Sequence, residues 1–152
     1  MKSLRGVDHE EEINFGELEG SLGFLLRIAQ VRNFEKFYAA FDALGLRPGE
    51  FSVLWLMRLN PGVRQGQLAE NLKIKPAQMS KMIRRLEEHG RIRRLIPDHD
   101  RRSVRLYLTK DGEDFTNAHR DDFFGQDHYQ RHDLSELEAK QLARLLQKYS
   151  GF

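Results

Sequence analysis

The apolar positions of this chain change period several times, and each change marks an element. From 18 to 44 the period is helical. Leu18, Leu22, Leu25 and Ala29 recur on one face, and Phe34, Phe37, Tyr38 and Phe41 continue the stripe. Phe24, Ile28 and Val31 widen it to a second side, so this helix needs more than one packing partner. Gly45 supplies a C-terminal stop, and Pro48 suits the first position of a second helix that carries Phe51, Val53, Leu54, Leu56 and Met57. Asn60-Pro61-Gly62 ends it with turn chemistry. A short helix over 65–72 turns Leu68, Ala69 and Leu72 inward, and Lys73-Ile74-Lys75 connects it to a helix that Pro76 opens and Gly90 closes.

Beyond Gly90 the period drops to two. Segments 92–96 and 104–108 read as short strands, with Val104, Leu106 and Leu108 alternating with Arg105 and Tyr107 across a loop at 97–103. Thr109 can cap a further helix, with Asp111 in its first turn, that carries Phe115, Ala118 and Phe123 to about Tyr129. Ser135-Glu136-Leu137-Glu138 forms a capping box, and the last helix buries Leu142, Leu145, Leu146 and Tyr149. The predicted class is mainly α with a small β wing (α+β). Residues 1–17, with Asp8, Glu10, Glu11, Glu12 and Glu17, read as a mobile acidic arm.

On a helical wheel, Met79, Met82, Ile83 and Leu86 form one core face of the 76–89 helix. Ala77, Gln78, Lys81, Arg84, Arg85 and Glu88 form the opposite face. Short and hydrogen-bonding side chains stand at its N-terminal end and cations along it. A helix entering a DNA major groove needs that order, because its first turn approaches base edges while flanking cations meet phosphates. The short helix before it completes a helix-turn-helix, although an ordinary helical hairpin with a charged outer face has the same pattern. The hairpin loop Asp98-His99-Asp100-Arg101-Arg102-Ser103 carries two arginines that can reach a neighbouring minor groove. Asp98 or Asp100 is expected to bond one of them and fix the tip.

Charge supports this reading. From Arg64 to Arg105 twelve Lys/Arg stand against five Asp/Glu, a balance of +7, which leaves −5 for the remainder of a chain whose net charge is +2. There is no cysteine, so disulfides, thiolate catalysis and thiol redox sensing are excluded. No apolar run is long enough to span a membrane and no signal peptide opens the chain, so the cytoplasm is the expected compartment. No G-x-S-x-G, H-E-x-x-H or glycine-rich phosphate loop favours an enzyme. His128 and His132 have i, i+4 spacing near His119, Asp121, Asp122, Asp127 and Asp133, but without an ordered ligand signature no metal or other cofactor is expected.

The segment from Pro76 to Gly90 resembles the recognition helix of MarR-type regulators. Asp98-His99-Asp100-Arg101-Arg102 followed by Leu108-Thr109-Lys110-Asp111-Gly112 is similar to their wing signature, D-x-D-R-R and then L-T-x-x-G. The resemblance runs from about Leu18 to Tyr149. It implies a winged helix-turn-helix over 46–109, dimerisation helices over 18–45 and 110–152, and a homodimer on a pseudo-palindromic double-stranded DNA site. It also implies release from DNA by a small molecule. The DNA-contacting residues are then Ala77, Gln78, Ser80, Lys81, Arg84, Arg85, Arg101 and Arg102. Lys81 stands where the family often has arginine, and Arg47 where it prefers a threonine cap. A cavity between the helices is expected to be lined by Phe34, Tyr38, Phe41, Phe51, Trp55, His119 and Phe123, with Arg27 and Arg32 able to anchor a carboxylate. The expected effector is an aromatic carboxylate or its coenzyme A thioester. The same aromatics can equally serve as plain core. A winged-helix module used for protein or RNA contacts is the alternative, since fold does not dictate function.

Overall fold

A computed structural model describes residues 13–98, 103–125 and 133–152. Helix α1 (Leu22–Phe41) follows a 3-10 turn at Gly16–Gly20 and leads into another at Asp42–Leu44, which ends on left-handed Gly45 (φ 67°). The helix expected from Leu18 is therefore broken. Ser21 is extended, and its carbonyl accepts from Leu25 N (2.9 Å) to begin α1 afresh. The end of the expected acidic arm is ordered, with the Phe15 ring 5.8 Å from Phe24. Residues 1–12 lie outside the described part.

Helix α2 (Glu50–Leu59) starts two residues later than Pro48 suggested. Pro48 and Gly49 form the turn before it, and Gly49 takes a left-handed conformation (φ 87°) that a side chain rarely adopts. The Glu50 carboxylate accepts from Arg47 N (2.8 Å) and closes that turn.

Helices α3 (Gln65–Asn71) and α4 (Pro76–Glu88) form the helix-turn-helix. The turn bends through Lys73 at φ 54°, a positive value in a residue with a Cβ. Leu68 and Ala69 pack on Met79, Met82, Ile83 and Leu86, with Val53, Leu54 and Met57 of α2 behind them. Strands β1 (Ile92–Leu95) and β2 (Arg105–Leu108) pair antiparallel, Ile92 opposite Leu108 and Leu95 opposite Arg105. Each is one residue shorter than expected. Ile92 and Leu106 are buried and fasten the wing to the same core, and Val63 bridges to Leu106 on the outer edge of β2.

Helix α5 (Lys110–Ala118) is capped by Thr109, whose hydroxyl accepts from Gly112 N (3.0 Å) and donates to Gly90 O (2.6 Å). The helix does not continue to Tyr129. It turns at His119 into the short α6 (Arg120–Phe124), and this swing lays Phe123 on Phe51 with ring centroids 4.4 Å apart. A second core of Phe37, Phe41, Leu46 and Phe51 forms there, and Phe115 packs against both cores. Helix α7 (Glu136–Ser150) has the expected capping box between Ser135 and Glu138. Its apolar stripe is not buried within the chain. Leu142, Leu145, Leu146 and Tyr149 are 39–65% exposed, and with Leu22, Leu25, Leu26 and Ala29 of α1 they line an open groove of about 630 Å³.

Candidate nucleic-acid interface and aromatic cluster

Helix α4 places its functional side chains through its own period. With Met79, Met82, Ile83 and Leu86 buried, Ala77, Gln78, Lys81 and Arg84 are exposed on the far side. Pro76 at the first position removes a donor that would otherwise lack a helical partner, and the N-terminal turn stands clear. Ser80 is half-buried between helices, and its hydroxyl accepts from Gln65 Nε2 of α3 (2.8 Å). Sequence reasoning did not single out Gln65, because its partner lies on the other helix.

Arg85 departs from its expected place on the outward face. It is half-buried, its Nε donates to Glu50 Oε1 (3.0 Å) and its Nη2 to the Gly45 carbonyl. Its position at the edge of the wheel let it turn toward a buried carboxylate instead of solvent. Arg91 is held similarly. Its Nη2 donates to Leu44 O (3.1 Å), and its guanidinium lies 3.7 Å from the centre of the Phe115 ring. Burial pushes the Arg91 pKa below its ordinary value, with Glu50 opposing that effect and Arg85 adding to it. Arg105 donates to Gly62 O (3.2 Å). Three of the central cations therefore hold the domain together. Arg64, Lys73, Lys75, Lys81, Arg84, Arg93 and Arg94 remain exposed, although Arg94 pairs with Glu87 (3.0 Å) and Arg93 lies over Tyr107. Asp98 is exposed where the described part of the wing ends, and Asp100, Arg101 and Arg102 lie outside the described residues.

Of the expected cavity residues, the structure brings together Phe41, Phe51, Trp55 and Phe123. Phe51 is fully buried, stacked on Phe123 and 6.5 Å from Trp55. Phe124, not foreseen, meets Trp55 edge-on at 4.9 Å. His119 is half-buried, its ring 4.6 Å from Phe115 and its Nδ1 2.9 Å from Asp122. Phe34, Tyr38 and Arg27 are exposed on α1, and Arg32 reaches Asp133 at the approach to α7 (3.4 Å). Both arginines expected to anchor a carboxylate are exposed. His128 and His132 lie outside the described residues.

A two-helix reader backed by a third helix and flanked by a two-stranded hairpin defines a winged helix-turn-helix protein. The MarR family model matches residues 46–104, which takes in α2, the helix-turn-helix and β1 and ends just before β2. A transcriptional regulatory protein for the hcr operon of Thauera aromatica is 33% identical over 102 residues, 66% of this chain and 61% of that protein's length. An HTH-type transcriptional repressor of Mycobacterium bovis is 33% identical over 95 residues, 62% of this chain and 68% of that protein. The repressor CouR bound to a 23-mer DNA duplex superposes with a TM-score of 0.80 at 31% identity, covering 91% of this chain and 99% of CouR. CouR bound to p-coumaroyl-CoA gives 0.78 at 30% identity, covering 91% and 98%. The chain belongs to the MarR family. Among the described residues no helix is long and apolar enough to cross a membrane.

Proposed function

We propose that this protein is a ligand-responsive transcriptional repressor that binds a pseudo-palindromic operator as a homodimer. The observation that carries this reading is the outward face of α4. Ala77, Gln78, Lys81 and Arg84 are exposed on a helix whose other face is locked into a core, and Arg64 before α3, Lys73 and Lys75 in the turn and Arg93 and Arg94 in the wing add exposed cations. Gln78, Ser80 and Lys81 read base edges. Arg84 and the flanking cations meet phosphates, and Arg101 and Arg102 enter the adjacent minor groove. Lys81 donates from one point rather than as a fork, so it accepts more than one base arrangement where arginine would select guanine.

The dimer uses the apolar faces of α1 and α7, residues 18–45 and 110–152. Leu22, Leu25, Leu142, Leu145, Leu146 and Tyr149 leave side by side an exposed apolar surface that a second copy can cover. Two-fold symmetry then sets two reading helices about 34 Å apart, one turn of B-DNA. The effector is an aromatic carboxylate or its coenzyme A thioester, bound near Phe51, Trp55 and Phe123. The name of the p-coumaroyl-CoA complex of CouR and the aromatic content of the cluster support that class.

Fluorescence anisotropy with duplexes selected from genomic fragments tests the function. Nanomolar binding whose log K falls steeply with log salt is expected. Micromolar binding indifferent to sequence refutes it. Light scattering checks the dimer, and calorimetry with p-coumaroyl-CoA and free aromatic acids checks the effector class.

A further inference from the structure

Glu50 is 1% exposed, yet it is an acid in a DNA-binding protein. Its carboxylate is fully engaged. Oε2 accepts from Arg47 N (2.8 Å) and Oε1 from Arg85 Nε (3.0 Å). Arg85 continues to the Gly45 carbonyl, and Arg91 reaches the Leu44 carbonyl one residue earlier (3.1 Å). Two guanidinium groups, one in the last turn of α4 and one just beyond it, thus clasp the corner between α1 and α2. Arg91 also lies on Phe115, the residue that packs against both cores. The wall of the aromatic cluster and the end of the reading helix therefore meet at one side chain.

We infer that Glu50 is a positioning residue for the recognition helix, and that Glu50, Arg85 and Arg91 form a latch through which the aromatic cluster and the DNA-reading face sense each other. The inference rests on the proposed DNA-binding function. A buried carboxylate bonded to the Arg85 guanidinium and the Arg47 N–H has a defined geometry and little tolerance, so the pitch of α4 against the α1–α2 corner is set there. Movement of Phe115 changes the support of Arg91, and Arg91 shares its corner with Arg85. By reciprocity, docking α4 in a groove must perturb the aromatic cluster. Trp55, the single tryptophan of the chain, lies in that cluster and reports it.

The sign of the response separates positioning from bulk electrostatics. Glu50→Gln removes a negative charge, so a purely electrostatic role strengthens binding to every duplex. Positioning predicts the opposite. Affinity for the selected operator falls roughly tenfold to a hundredfold, while affinity for a scrambled duplex stays equal or rises. A role in stability alone lowers the melting temperature and leaves discrimination by the folded protein intact. In the unmodified protein, saturating operator changes Trp55 emission. In Arg91→Met, saturated with operator at higher concentration, that change is lost. Should Glu50→Gln fail to fold, the Arg91→Met measurement decides alone. Unchanged discrimination in Glu50→Gln, or an unchanged Trp55 response in Arg91→Met, overturns the latch while the DNA-binding function stands. An unmodified protein that discriminates no duplex overturns both.

Discussion

Gly112 offers a sharp test, because the ordinary expectation for a helical glycine is reversed there. Gly112 is the third residue of α5, and a helix gains about 1 kcal/mol when Ala replaces Gly at an open position. At Gly112 a Cβ would lie 1.9 Å from the Arg91 carbonyl oxygen and 2.9 Å from its carbon. Both are backbone atoms, so no side chain can swing aside, and α5 must withdraw by more than an ångström. Three interactions oppose withdrawal. Thr109 N donates to Arg91 O (3.0 Å), the Thr109 hydroxyl donates to Gly90 O (2.6 Å), and that hydroxyl also accepts from Gly112 N (3.0 Å). Losing the cap costs about 1 kcal/mol and losing one further hydrogen bond about 1. Overpacking adds roughly 1–3. After the helix-propensity gain, Gly112→Ala should destabilise by about 2–4 kcal/mol. Gly66 in α3 is the control, since nothing lies within 4 Å of a Cβ there. Gly66→Ala should stabilise by roughly 0.5–1 kcal/mol. Urea denaturation at matched protein concentration, followed by far-UV circular dichroism, gives both values. A Gly112→Ala variant as stable as the parent would falsify the close approach of α5 to the wing root.

Three further outcomes are expected. Lys73→Gly relieves a side chain held at φ 54° and should stabilise by about 1 kcal/mol in the same urea assay; a loss of stability would mean that the turn does not hold that conformation. Hydrogen bonds from the Ser135 hydroxyl and backbone hold the Glu138 pKa below its ordinary value. A depressed carboxylate pKa contributes stability above the unfolded value and loses it as pH falls through the folded one, so the effect belongs to the acid side of neutrality. Ser135→Ala should move the Glu138 titration, followed by NMR, back upward; no movement would refute the cap. Arg102, read from the wing signature and lying outside the described residues, should weaken specific binding by roughly 1–3 kcal/mol on replacement by Ala, measured by anisotropy at fixed salt. An unchanged affinity would remove Arg102 from the groove.

Element ends were the most legible part of the chain, because they rest on local chemistry. Gly45 and Gly90 adopt left-handed stops, Thr109 and Ser135 cap, and Pro76 opens α4. The breaks at Ser21 and His119 were not legible. Both interrupt runs whose apolar spacing continues, and the reason at His119 is tertiary, namely the reach of Phe123 to Phe51. Pro48 misled by two residues because Gly49, free to turn left-handed, carries the start of α2. Most of the α4 face was readable from its period. Arg85 was not, since a wheel gives direction but no partner, and Glu50 is thirty-five residues away. One signal was available. Glu50, Val53, Leu54 and Met57 share the spacing of one helix face, and a lone carboxylate on an apolar face requires a cation.

The same limit of local reading bears on α7. Its period correctly marks a helix with one apolar face, and a sequence cannot state which chain covers that face. Within this chain the face stays open, beside an equally open face of α1. The charges argue for how it closes. The basic residues are concentrated between Arg64 and Arg105, while the remainder of the chain carries a net −5. A second copy joined through α1 and α7 brings apolar surface together away from the two basic readers, so both can meet one polyanion without mutual repulsion. Joining through the reader faces would bury like charges and hide α4. In the proposed dimer, the exposed stripe on α7 and the exposed polar face on α4 would serve one arrangement, in which the terminal helices associate and the central domain is left free to bind DNA.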